Sequence, residues 1–203
     1  MTIDKIKITE FHARIHKPII MDNIFDFVGC NSGTWKVKEI KGAIGESLEH
    51  VPYLKIIPSS TTKPDEGLWR LKGVRSNLRY TEKSEEDKLV SIQEGLGRPE
   101  ATHAALIPIR KSEAWWKLAQ DARRKIFEAQ SKHITTGLKY LPAIARRLYH
   151  CRDFNEPFDF LTWFEYAPKD ADAFEELVWE LRKTQEWEYV DREVDIRLTK
   201  MTE

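Results

Sequence analysis

IARRLYHCRDFNEPFDFLTWFEY, residues 144–166, reads as two strands joined by a turn, and it decides the fold. The runs 144–151 and 158–167 are rich in aromatic and aliphatic side chains, and Arg152 to Pro157 between them collect Asp, Asn and Pro, the residues of turns. Upstream, SEAWWKLAQDARRKIFEAQSKHITTGLKYL (112–141) reads as one helix, with Ser112 as its N-cap and Gly137 near its end. ATHAALIPI before it is an apolar strand whose Pro108 predicts an edge or a strand end. Downstream, KDADAFEELVWELRKT is a second helix and WEYVDREVDIRL a last, alternating strand. The order is β-α-β-β-α-β, which predicts an α+β ferredoxin-like unit with both helices on one face of an antiparallel sheet.

The first half is less regular. FDFVGCNSGTWKVKEI (25–40) predicts a hairpin turning at Cys-Asn-Ser-Gly, with Gly33 free to take a positive φ. PSSTTKPDEG (58–67) is a loop, LWRLKGVRSNLRYT a strand, and residues 83–96 a helix with Leu89, Ile92 and Leu96 on one side, broken by GLGRPEA. The chain therefore divides into a leader or arm over 1–22, a truncated N-terminal ferredoxin-like unit over 23–100, and a complete C-terminal one over 101–203.

Lys plus Arg equals Asp plus Glu, 33 of each, so no global field draws the protein to nucleic acid or an anionic membrane, and any preference for anions is local. There is no signal-like apolar segment at the start and no run long enough to span a bilayer, which predicts a cytoplasmic protein without membrane contact. Cys30 and Cys151 are too far apart for a metal or redox motif and read as structural thiols.

Chemistry concentrates on the long helix and the strand after it. His133 borders the apolar helix face, on a stripe with Ile126, Gln130 and Gly137, and Arg146 follows thirteen positions later. Imidazole is a ligand suited to iron and guanidinium a permanent cation for an anion, a pairing that fits a haem site for anion chemistry. A lone helical histidine is more often simply packed or exposed, and a buried arginine is more often paired with a carboxylate. On the strand, Arg146, Leu148 and His150 share one face and Arg147, Tyr149 and Cys151 the other. Trp115 and Trp116 follow Lys111 and could wall a flat cofactor, or be plain core. Glu186 is either surface charge or an acceptor for the second nitrogen of a ligating imidazole, and Tyr80 either strand packing or a propionate contact.

The blocks LYHCRD and FDFLTWFE, within the stretch from Gly95 to Pro168, resemble the chlorite dismutase family, and its short-chain branch more than its long one. The likeness runs from about Gly29 to Leu198 and departs in the leader and locally before residue 68. The resemblance implies a pair of ferredoxin-like units facing each other in an α+β barrel, a homodimer, and one haem b per subunit. It implies an enzyme converting chlorite to chloride and dioxygen, with O–O bond formation through a ferryl/hypochlorite pair held by a distal arginine. His133 would be the iron ligand, Arg146 that arginine, and Glu186 the carboxylate on the ligating imidazole; Lys111, Trp116 and Tyr80 match positions near the haem and its propionates. Two alternatives share the scaffold: a coproporphyrin-haem decarboxylase, whose members generally lack the distal arginine, and a non-catalytic haem-binding or sensing protein. A dye-decolourising type of peroxidase would place a distal aspartate beside its arginine, whereas Asp153 is seven positions along.

Overall fold

Where both faces of a strand are buried it must run through the middle of a sheet, and the last strand shows this. Val194, Ile196 and Leu198 are buried on one face and Glu193 and Asp195 on the other. In the computed structural model, which describes residues 23–63, 67–75, 82–92 and 95–201, that strand is β8 (Val190–Lys200). The other strands are β1 (Ile24–Cys30), β2 (Trp35–Ile44), β3 (Tyr53–Pro58), β4 (Trp69–Arg75), β5 (His103–Lys111), β6 (Ile144–His150) and β7 (Phe160–Tyr166). They close into an antiparallel barrel in the order β1-β3-β2-β8-β5-β7-β6-β4. Each half of the chain contributes four neighbouring strands in the same order, fourth-first-third-second: β4-β1-β3-β2 and then β8-β5-β7-β6. Closure removes free sheet edges.

Inside the barrel, Phe27, Trp35, Leu54, Leu106, Tyr149 and Trp163 belong to one buried cluster, with Phe27 and Tyr149 edge to face at 5.0 Å and Trp35 and Trp163 at 5.1 Å. Gly73 faces this lumen, and a Cβ on it would lie 2.8 Å from the Cβ of Tyr149 and 3.4 Å from the Sγ of Cys151. The first of these is a side-chain root that moves only with its strand, so Gly73→Ala is expected to destabilise by roughly 1–3 kcal/mol, the usual cost of overpacking. Urea unfolding measures it; an unchanged midpoint would show that the strands can part at no cost. Cys30 and Cys151 are both buried and unbridged, as structural thiols should be, and burial pushes the Cys151 thiol far above its ordinary range.

Outside the barrel, α5 (Ala171–Arg182) buries Phe174, Leu177, Val178 and Leu181, a helical stripe, in a second cluster with Ala105, Ile107, Ile109, Phe164 and Tyr166. These sheet residues mark the helix-facing side, and Arg146 and Lys111 share it by alternation. α1 (Lys83–Ile92) is the helix expected over 83–96; it ends earlier, and Leu96 packs against the barrel core instead. Among the described residues no helix is long and apolar enough to cross a membrane.

Three expectations fail, each for a non-local reason. First, β1 and β2 form no hairpin: β1 pairs with β3 and β4, and β2 with β3 and β8. Gly33 is not among the positive-φ glycines, which are Gly45, Gly67 and Gly97; a Cβ on Gly33 would lie 3.0 Å from the carbonyl oxygen of Leu54, so close approach is what it permits. Second, β5 is no edge. It pairs with β7 and β8, and Pro108 is accommodated opposite Leu161 while the β8 register resumes at Ile109 and Glu193. Third, the helix expected over 112–141 is several: α2 (Glu113–Lys117), α3 (Gln120–Arg124), a π-helical turn (Lys125–Gln130) and α4 (His133–Lys139). Ser112 caps α2 by accepting from the Trp115 N–H, as expected, but Leu118 and Ala119 are extended and Gly137 lies inside α4, which is capped at Tyr140. The carbonyls freed by the first break are taken up by Arg123, which donates to Leu118 O at 3.1 Å and Trp116 O at 3.0 Å.

Candidate functional site

His133 is the first residue of α4, and the chain is bent to put it there. The π-helical turn before it delivers the Ser131 N–H to Ile126 O at 3.0 Å, and Lys132 then turns left-handed at φ 52°. Lys132 gives no side-chain cap. Glu128 substitutes: its carboxylate accepts from the N–H groups of Ile134 (2.6 Å) and Thr135 (3.2 Å) and from the Thr135 hydroxyl (2.6 Å), filling the helix's vacant donors with an anion. The same turn stacks the Phe127 ring on the His133 ring, 4.3 Å between centroids.

Behind His133 runs a buried chain of charge. Its Nδ1 lies 2.7 Å from Glu186 Oε2, and the other carboxylate oxygen accepts from Lys111 Nζ at 2.8 Å. An ionised carboxylate only accepts, so Nδ1 donates to it, and in the neutral ring the lone pair a metal would take is then on Nε2. The Lys111 and Glu186 side chains are 3 % and 5 % exposed. Burial pushes the Glu186 carboxyl up, but the His133 ring in its protonated form and the Lys111 ammonium, with their hydrogen bonds, outweigh it and bring it down to about 2. The Glu186 N–H donates to Ser131 Oγ at 2.9 Å, tying the carboxylate's own backbone to the turn that presents His133. Lys111 is aimed by an irregularity in the β5–β8 ladder: Arg110 pairs with Arg192 and Lys111 with Val190, leaving Asp191 extra. Its ammonium sits over the rings of Trp115 at 4.8 Å and Trp187 at 5.3 Å.

Arg146 comes to the same helix from the sheet. A Cβ on Gly137, one turn beyond His133, would lie 2.6 Å from Arg146 Nη1, so the glycine leaves the room in which the guanidinium rests against α4. Burial lowers the Arg146 pKa and the charge of Glu128 opposes that shift; a guanidinium so placed remains a cation. Arg147 is on the opposite, lumen-facing side with Tyr149, whose hydroxyl it engages. Arg146 and Arg147 thus lie on opposite faces of β6, in keeping with the alternation along the strand.

Of the residues singled out in the sequence, Lys111, His133 and Glu186 form one connected group, and Arg146 reaches from β6 to the helix that carries His133. Trp116 stands apart, its indole donating to Asp159 Oδ2 at 3.2 Å beneath the Arg152 guanidinium at 3.9 Å, on a cleft also lined by Arg110, Asp153 and Glu156. Asp159 links back through the main chain of β5, its carboxylate accepting from the Lys111 N–H at 2.7 Å. Tyr80 lies outside the described residues. Sequence reasoning did not single out Ser131, Trp187 or Glu128 as site residues; Trp115 it offered together with Trp116 as a wall for a flat cofactor, and of the two it is Trp115 that lies under the Lys111 ammonium.

A sequence model described as chlorite dismutase matches residues 66–202, a span that contains all of these groups. The chain belongs to the chlorite dismutase family. A chlorite dismutase from Ideonella dechloratans is 32 % identical over 126 residues, 59 % of this chain and 40 % of that relative, so the match spans less than half of the relative's length. Among solved structures, a dimeric chlorite dismutase from Nitrobacter winogradskyi is 58 % identical over 87 % of this chain and 99 % of its own, with a TM-score of 0.83. A chlorite dismutase from Candidatus Nitrospira defluvii in complex with imidazole is 27 % identical over 66 % of this chain and 55 % of its own, with a TM-score of 0.54. The likeness to the Nitrobacter protein covers most of the chain, and the mixed α/β fold with its eight-stranded antiparallel barrel is one that matches it.

Proposed function

We propose that this chlorite dismutase family member is a haem b enzyme that converts chlorite to chloride and dioxygen, with His133 as the iron ligand and Arg146 as the residue that holds the anion. The observation that carries the reading is the Lys111–Glu186–His133 chain, which commits Nδ1 and leaves Nε2 available. A single imidazole so oriented fits a metal that brings its other donors with it, as a porphyrin iron does. The haem, once bound, supplies the oxygen-transfer chemistry.

The reaction, ClO2⁻ → Cl⁻ + O2, conserves atoms and charge without a proton, so the site needs a cation and a fixed ligand but no acid. Arg146 meets the first need: its guanidinium offers several donors to a small oxyanion, binds chlorite, and retains hypochlorite until the second oxygen is transferred. Retention also spares the tryptophans and methionines from oxidation. Glu186 and Lys111 meet the second need, by holding the imidazole and its proton in one orientation. Arg146 on the helix-facing side favours dismutation over coproporphyrin-haem decarboxylation or simple haem carriage, neither of which calls on it.

Lys111, Trp116 and, from the resemblance alone, Tyr80 belong to this reading as groups around the haem and its propionates. So do two finer structural points: a ferredoxin-like division into residues 23–100 and 101–203 behind the leader 1–22, supported by the repeated strand order, and a homodimer, supported by likeness to a protein described as dimeric.

The test is to load the purified protein with haem, add chlorite and follow dioxygen with an electrode. Oxygen in stoichiometric yield supports the reading; haem uptake without oxygen would leave a haem-binding protein. Glu186→Gln keeps the side chain's shape and removes its charge. It is expected to raise the ferric/ferrous potential and lower the iron–histidine stretching frequency. If neither moves, Glu186 serves only as the counter-ion of Lys111.

A further inference from the structure

Glu186 is carried by a five-residue 3₁₀ turn, Gln185–Tyr189, whose main chain is tied to Ser131 Oγ through the Glu186 N–H at 2.9 Å and to the Ser112 N–H through the Tyr189 carbonyl at 2.8 Å. A side chain anchors it as well. The neighbouring Trp187 sends its indole N–H to Glu193 Oε2 at 2.8 Å, and the other oxygen of Glu193 accepts from Arg182 Nε at 2.9 Å and Nη2 at 2.5 Å. The Glu193 side chain is 0 % exposed. Arg182 also binds Asp195 at 2.7 Å, Asp195 pairs with Arg197, and Arg197 ends the network on Glu175 at 2.7 Å. A buried carboxylate is costly unless its partners are fixed, and here one partner is the residue next to Glu186. The Trp187 ring is in addition one of the two walls around the Lys111 ammonium.

We propose that Trp187 and Glu193 are positioning residues: the indole-to-carboxylate bond anchors the 3₁₀ turn to β8 and α5 and thereby holds Glu186 on His133 Nδ1. The inference rests on His133 being the iron ligand only for its consequence in the loaded protein. The positioning itself is a property of the chain. Trp187→Phe keeps a ring over Lys111 and deletes the donor, and Glu193→Gln keeps an acceptor and deletes the charge that fixes Arg182.

Nitrogen-15 spectra of the His133 ring in haem-free protein read the effect directly. Both variants should lose the pure Nδ1–H tautomer and weaken the Nδ1–H···O hydrogen-bond resonance, and after haem loading both should lower the iron–histidine stretching frequency in the direction of Glu186→Gln. Arg197→Gln, at the far end of the same network, should lower the melting temperature and leave the His133 spectrum unchanged. The proposal is overturned if both Trp187→Phe and Glu193→Gln keep the wild-type tautomer, or if Arg197→Gln alters it as much as they do. Failure of the wild-type protein to take up haem would overturn the ligand assignment instead, and the haem-free spectra would still decide the positioning.

Discussion

His133→Ala is expected to lose haem retention by on the order of a hundredfold or more, since losing even an outer-shell partner of a ligand costs about 10–100-fold. The substitution removes the ring that Phe127 stacks on and that Glu186 orients, while the cap of α4 survives, because Glu128 binds the main chain of Ile134 and Thr135 and not the histidine. The fold should therefore remain, and titration with ferric haem, followed by its absorption spectrum, isolates the loss of the bond. Added imidazole should restore part of the spectrum by occupying the vacated place. Full occupancy with an unchanged ferric spectrum would transfer the ligand role to another histidine. His150 would come first, being buried on the same strand face as Arg146 and edge to face with Phe160 at 5.1 Å; His103 packs against Tyr166 at the opposite end of the sheet.

Arg146→Ala is expected to keep haem and fold but lose retention of hypochlorite. Removing one preorganised donor from a developing or trapped charge lowers turnover by roughly 10²-fold, and the oxygen yield per chlorite should fall while a chlorination trap begins to react and the haem bleaches sooner. Arg146→Lys should recover only part of the loss, because an ammonium lacks the planar fork of donors. Arg147→Ala supplies the contrast: that side chain faces the barrel lumen with Tyr149, so its loss should lower stability without chlorinating the trap. Wild-type oxygen yield and no trapped hypochlorite in Arg146→Ala would remove the arginine from the reaction altogether.

How the site assembles explains what could be read in advance. The sorting of Arg146 from Arg147, the strands 144–150 and 160–166, the helix at 171–182 and the placing of Glu186 beyond it all depend on periodicity within a few residues, where the side-chain pattern and the backbone geometry are the same fact. The resemblance carried by LYHCRD and FDFLTWFE added the pairing of His133 with Glu186, and the two side chains lie 2.7 Å apart.

What local pattern could not reach were the partners. Backbone donors and acceptors are alike in every strand, so nothing in FDFVGCNSGTWKVKEI distinguishes a hairpin from two strands that pair elsewhere, and a run containing Pro108 reads as an edge until both neighbours of β5 are known. Nor does the sequence from 112 to 136 contain a Gly or Pro that would break a helix. The breaks at Leu118 and Lys132 exist because Arg123 and Glu128 satisfy the exposed ends and because the bent chain brings Phe127, His133 and Ser131 onto Glu186. The residue types that make the site were determined by the sequence alone. That Trp115 rather than Trp116 meets Lys111, and that Gly137 receives Arg146, was decided by tertiary packing, in which contacts between distant segments outweigh the fraction of a kcal/mol by which one helical residue differs from another.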